Sequence, residues 1–369
     1  MELYRNNEIP PIEYTPGTSE FRDAVIGLAR YWTAIAEDLH ADEPGVQERT
    51  AAACLRFRKE CAMFDYARAL QWHDPQGVYV HTDIPYLPDG GYRDGEVRGH
   101  LLDVYIPRDA IVRGGNTLPV YIDIHGGGFT YGYKELNRNF NTHLADLGFG
   151  VFSLNYRPAP QTDLVGQLHD IQAALCWIGE HITQFPVSPD NIFITGDSAG
   201  ACLSLLTLLI EHNDDAAHAF GIERASGIHL RGASLISGVY DITPSSPMRA
   251  RLAETVGNEF FAGLDDATVF LDPADWLTQG IGIPPLFLVT SSDDFVQSET
   301  LALATSLARN GRDFELHDFK VPCTQTLGHV FPVGMTWLPE SERVLHGIRE
   351  FSYPCLLYTS DAADDLIGV

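Results

Sequence analysis

The sequence is poor in positive charge: 24 Lys and Arg stand against 50 Asp and Glu, a formal net charge of −26. A surface of that sign repels phosphate backbones and anionic lipid headgroups, so neither a nucleic-acid nor a membrane partner is expected. The chain also lacks any run of 18 or more apolar residues, so no transmembrane helix is expected. Its opening, Met1-Glu2-Leu3-Tyr4-Arg5, is not the basic stretch followed by an apolar one that marks a secretory signal, and a cytoplasmic location is expected. Six cysteines (Cys54, Cys61, Cys176, Cys202, Cys323, Cys355) include no C-x-x-C pair. That spacing argues against a disulfide framework and against a zinc site; they read as reduced thiols on core or helix faces. What the chain does hold is apolar mass. With 45% hydrophobic residues over 369 positions, including 19 Phe, 15 Tyr and 5 Trp, it can bury a large core.

From about residue 18 to 72 the pattern is helical: Phe21, Val25, Ile26, Leu28, Ala29 and Trp32 recur at three and four, and Pro44 opens a second helix running toward Leu70. Polar residues interleave, so these helices read as amphipathic and in need of a partner surface. Strand-like runs follow at 78–84 and 101–106, separated by the turn-rich Pro88-Asp89-Gly90-Gly91. The chain then alternates. Strand-length apolar runs fall at 120–124, 151–154, 192–195, 233–237, 286–290 and 314–319, and helical patterns fall at about 164–183, 199–212, 298–310 and 340–351. Buried strands alternating with helices predict an α/β fold with a mainly parallel sheet covered on both faces. Residues 243–280, rich in Pro, Asp and aromatics, break the alternation and read as a small helical insertion.

Two motifs carry chemistry. Gly196-Asp197-Ser198-Ala199-Gly200 follows the strand at 191–195 and precedes a helical run. In that strand–turn–helix context it is Gly-x-Ser-x-Gly, whose flanking glycines let a strained turn push the serine Oγ outward at a helix N-terminus. His125-Gly126-Gly127-Gly128-Phe129 follows the strand at 120–124. Its consecutive glycines let backbone N–H groups approach a substrate oxyanion. A phosphate-cradling loop fails, because no Gly-Lys-Ser/Thr follows. A serine hydroxyl needs a general base, and the base an orienting acid.

These motifs resemble the α/β-hydrolases, specifically the hormone-sensitive-lipase-like esterase branch, over roughly residues 75–351. Asn155-Tyr156-Arg157-Pro158-Ala159-Pro160, then Asp170 at a helix start, is similar to that branch's Tyr-Arg-Leu-Ala-Pro segment, with Pro158 replacing Leu; Ala201 stands where many members carry Gly. The resemblance implies the chain order Ser, acid, His. It selects Ser198 as nucleophile, His329 of Gly328-His329-Val330-Phe331 as base, and Asp294 of Ser291-Ser292-Asp293-Asp294-Phe295-Val296 as acid. Rivals are Asp293, read as a solvated turn carboxylate, Asp241 as a structural residue, and His317 and His346 inside regular elements. The implied oxyanion donors are the amides of Gly127, Gly128 and Ala199, with His125 bracing the glycine loop and Asp197 as a local hydrogen-bonding anchor. A second resemblance concerns the end of the chain: Cys355 through Asp364 looks like the translation of a sequencing adapter, so 355–369 is expected to be a non-native tail.

The implied organisation is an N-terminal helical cap segment over 1–75, a catalytic domain over 76–354 with a cap insertion at about 243–280, and the tail. The implied function is a serine carboxylesterase for short- to medium-chain acyl esters, with a small-molecule ester as partner and neither cofactor nor metal. Tyr131, Phe260, Phe261 and Trp276 are expected to line the pocket. An amide hydrolase on the same triad, or a non-catalytic ligand-binding protein on the same fold, are the alternatives. The strand edge at 314–319 would allow a homodimer by fold-level analogy.

Overall fold

Eight strands make one sheet, and its order fixes where chemistry can sit. The computed structural model describes residues 44–69, 71–88, 100–115, 117–223 and 226–361. The expected helix beginning near residue 18, most of the Pro88–Gly91 turn, and the side chains on which the tail assignment rests lie outside the described residues. The strands are β1 (Val78–Pro85), β2 (Leu101–Pro107), β3 (Leu118–Ile124), β4 (Gly150–Leu154), β5 (Val187–Asp197), β6 (Leu230–Ile236), β7 (Leu286–Ser291) and β8 (Phe314–Phe319). They run in the order β1-β2-β4-β3-β5-β6-β7-β8. β2 is antiparallel to both β1 and β4, and every pairing from β4 through β8 is parallel. All eight strands read from apolar runs are present.

The described helices are α1 (Pro44–Ala69), α2 (Arg108–Arg113), α3 (Arg138–Asp146), α4 (Leu164–His181), α5 (Ala199–His212), α6 (Asp214–Ala219), α7 (Pro247–Val256), α8 (Pro273–Thr278), α9 (Gln297–Arg309), α10 (Phe331–Gly334) and α11 (Pro339–Asp361). Their starts follow local chemistry. Asp163 caps α4 by accepting from the Gly166 amide at 2.8 Å. Ser246 and Asp272 cap α7 and α8, each followed by a proline whose missing N–H costs nothing in a first turn. Asp170 therefore lies in the second turn of α4 rather than at its start, where it receives the Arg157 guanidinium and backbone amide.

Two buried layers hold the sheet. One contains Ile122, Ile194, Leu235 and Leu288 with the inner faces of α4, α5 and α9. The other contains Tyr121, Val151, Phe193 and Val289 with α3, α10 and α11. Period-two alternation sends neighbours on each strand to opposite layers, which is why these strands are apolar throughout. Among the described residues no helix is long and apolar enough to cross a membrane.

Candidate active site

β5 lies inside the sheet, between β3 and β6, and ends at Asp197; α5 begins at Ala199. Ser198 joins them with φ 53° and ψ −119°, a conformation that costs a non-glycine residue about 1–3 kcal/mol. Its amide donates to the Ile236 carbonyl at 2.9 Å, tying the turn to the next strand. A Cβ at Gly196 would stand 2.5 Å from the Gly200 carbonyl oxygen, and one at Gly200 only 2.0 Å from that of Ile124. Both glycines are therefore steric requirements of the turn. The Ala199 amide, first in α5, has no intrahelical acceptor and carries the positive end of the helix dipole.

Asp294 sits in the turn after β7. Its Oδ1 accepts from the Val296 amide at 3.0 Å and lies 2.9 Å from His329 Nδ1. The other imidazole nitrogen, Nε2, is 2.9 Å from Ser198 Oγ. Burial works to raise the Asp294 pKa, but the hydrogen bond with His329, helped by Ser237 and the Val296 amide, holds the carboxyl below its ordinary range. The structure thus brings Ser198, His329 and Asp294 into one line. Asp293 is an exposed turn carboxylate, as expected, and it has a second role. It accepts from the Leu327 amide at 3.0 Å and the Gly328 amide at 3.1 Å, so it suspends the loop that presents His329. Asp241 closes its own turn by accepting from Thr243, His317 faces Glu315 on β8, and His346 is exposed on α11.

The glycine loop follows β3. Gly127 and Gly128 have φ of 118° and 58°, and a Cβ on Gly128 would meet the Phe57 ring at 2.8 Å. His125 Nδ1 lies 2.7 Å from the Gly126 carbonyl and the ring stacks on Tyr156. Asp197, buried beneath the loop, accepts from the Gly126 amide at 3.0 Å and from Asn137 Nδ2 at 2.9 Å. Burial, opposed by Asn137 and reinforced by the nearby Asp123 carboxylate, pushes Asp197 up to about 7. The residue preceding the serine therefore holds the glycine loop directly.

Ser198, His329, Gly127, Gly128 and Ala199 all line one cavity of about 480 Å³. Part of the lining comes from α1 (Phe57, Cys61, Phe64, Asp65, Arg68) with Tyr131; another part comes from Val239, Phe295 and Met248, Arg251 and Leu252 of α7, which packs beside α1. Of the four aromatics expected there, Tyr131 is in place. Phe260, Phe261 and Trp276 are not: each is at most 3% exposed and packed into the core, with Phe260 against Phe261 and Phe129. The insertion spends its large rings on its own packing and offers smaller α7 side chains to the cavity. Sequence reasoning expected a cap from residues 1–75 but named none of the α1 side chains in the lining, whose contacts link positions some 70 to 260 residues apart.

A serine at a strained strand–helix elbow, with imidazole and carboxylate aligned behind it on a mainly parallel sheet, is the arrangement of the α/β-hydrolases. The chain belongs to the α/β-hydrolase fold family, whose model matches residues 121–331. It is similar to a probable carboxylic ester hydrolase, LipM, of Mycobacterium tuberculosis, with 36% identity over 43% of this chain and 36% of that protein. It is also similar to the esterase LipQ of that organism, 30% identical over 59% of this chain and 46% of the relative. The chain thus spans less than half the length of both. Among solved structures, it resembles Lactobacillus rhamnosis esterase B inhibited by a tributyrin phosphonate, with a TM-score of 0.75 and 27% identity over 88% of this chain and 99% of that one.

Proposed function

We propose that this protein is a serine carboxylesterase acting on short- to medium-chain acyl esters. The observation that carries the reading is the Ser198–His329–Asp294 line, 2.9 Å at each step, facing the Gly127 and Gly128 loop across one cavity. His329 takes the serine proton as Oγ attacks the ester carbonyl. The amides of Gly127, Gly128 and Ala199 bind the oxyanion, and His329 then protonates the leaving alcohol. Water repeats the sequence on the acyl-enzyme, regenerating the serine. Asp294, kept ionised, fixes the imidazole tautomer and balances the imidazolium. These groups complete acyl transfer without a cofactor or metal. The esterase names of the similar proteins support the reaction class. The modest cavity, walled by α1 and α7 in the manner of a cap, supports the chain-length limit.

The test is a series of aryl esters from acetate to palmitate, with matched anilides, on wild type and Ser198→Ala. Turnover should peak at the short to medium esters and fall by about 10⁴-fold or more in the variant. Undiminished activity in Ser198→Ala would sink the mechanism, a maximum at palmitate the chain-length assignment, and faster anilide cleavage would make the enzyme an amide hydrolase.

A further inference from the structure

The α1 wall of the cavity is not uniformly apolar. Asp65 and Arg68 of α1 meet Tyr131, from behind the glycine loop, on that wall. Arg68 is 7% exposed and Tyr131 1%, yet Arg68 Nη1 makes no hydrogen bond within the protein, while the Tyr131 hydroxyl engages the Asp65 carboxyl and keeps its oxygen lone pairs for a ligand. A buried donor left without an acceptor costs about 1–3 kcal/mol. Such a donor on a ligand-facing wall suits an oxygen brought by a ligand.

The position of the pair says which part of a substrate it meets. Arg68 Nη2 donates to the His329 carbonyl at 3.1 Å, and its guanidinium lies 3.9 Å above the Phe64 ring, so the head group is held beside the base. A leaving alcohol must lie near that base to receive its proton. Elsewhere in the lining, Val239, Met248, Leu252 and Phe295 offer apolar surface suited to an acyl chain. Charge decides between an anionic and a neutral oxygen. The Asp65 carboxyl lies beside the Arg68 guanidinium, and of the other charged lining residues Glu60 offsets Arg251. Burial pushes Asp65 up to about 6, against the pull of Arg68, Tyr131 and His329. A carboxylate or phosphate entering here would meet a cation already balanced, whereas a neutral oxygen needs only the idle Arg68 donor.

We propose that Arg68 and Tyr131, steadied by Asp65, form a polar subsite for a second, neutral oxygen in the alcohol part of the substrate. Esters of polyhydric alcohols are then preferred over esters of plain alkanols. The inference rests on the ester-hydrolase reading above.

Ethylene glycol monobutyrate and propyl butyrate differ by a hydroxyl in place of a methyl, and their kcat/KM ratio reads the subsite. The wild type should favour the glycol ester by about tenfold, the worth of one good hydrogen bond. The ratio should fall toward one in Tyr131→Phe and in Arg68→Met. Because Arg68 also holds the His329 loop, its variant lowers the rate on both esters; the ratio is the readout, and Tyr131→Phe removes a single hydroxyl with little risk to folding. A wild-type ratio near one, or a preference that persists in both variants, overturns the subsite alone. Failure to hydrolyse either ester, with no fluorophosphonate labelling of Ser198, overturns the underlying reading and the subsite with it.

Discussion

Asp197 is a carboxylate asked to do two things at once: hold the glycine loop through the Gly126 amide and survive in a buried site beside Asp123. Its pKa rises from an ordinary 3.8 to about 7. Between those values the folded protein keeps a proton that the unfolded chain has released, so this residue's contribution to stability declines as pH climbs from about 4 to about 7 and is level above. In Asp197→Asn that decline is absent. Denaturant midpoints at about pH 5 and pH 8 should therefore drop more for the wild type than for the variant; an equal drop would mean Asp197 is ionised throughout. At this scale the sequence is legible where chemistry forces a local pattern. Ser198, Gly200 and the 125–129 glycines must sit in fixed short spacings, and Asp294 and His329 each follow a strand end. Tyr131, two residues past that glycine run, was legible with it, whereas Asp293 and Arg68 make their contacts only once distant segments are brought together.

Among the elements, α1 departs most from its sequence. Its buried stripe is Thr50, Cys54, Arg58, Ala62 and Arg68, while Phe64 is 53% exposed, so the face that docks is not the apolar one. Arg58, fully buried, donates to the Thr130 carbonyl at 2.6 Å and to that of Ala159 at 2.6 Å. Thr130 lies just beyond the glycine loop, so α1 braces the proposed oxyanion donors at one end and the His329 loop at the other. Arg58→Met would orphan the buried Thr130 carbonyl at about 1–3 kcal/mol, while that of Ala159 keeps the Thr130 hydroxyl as a donor. We expect a lower melting temperature and a reduced kcat, both partly restored in Arg58→Lys; unchanged kcat in a variant that melts early would detach α1 from the loop. The strands, by contrast, announced themselves, since a buried parallel strand must be apolar on both faces. α3 did not. Its buried Asn139 and Asn141 serve carboxylates, Asn141 bonding Asp123 at 2.7 Å, so polar residues occupy positions where periodicity looks for apolar ones.

Across the molecule, strand–helix alternation was enough for the fold class, because only a mainly parallel sheet with helices on both faces buries that many apolar runs. The charge of −26 acts at the same scale. A carboxylate-bearing ester should react more slowly at low ionic strength than its neutral isostere, and the gap should narrow as salt shortens the Debye length from about 30 Å at 0.01 M to about 3 Å at 1 M. Comparing kcat/KM for the two esters across that range checks it, and a gap indifferent to salt would confine the electrostatics to the cavity. The Arg68 bond to the His329 carbonyl spans 261 positions of sequence. Closing so long a loop comes at the expense of chain entropy that nearer contacts do not demand. The strand pairs can assemble from nearer segments, whereas the finished pocket waits on so distant a joining. Recovery of turnover in a refolding chain is thus a clock for the final docking event, and burial of the core is a clock for the earlier ones.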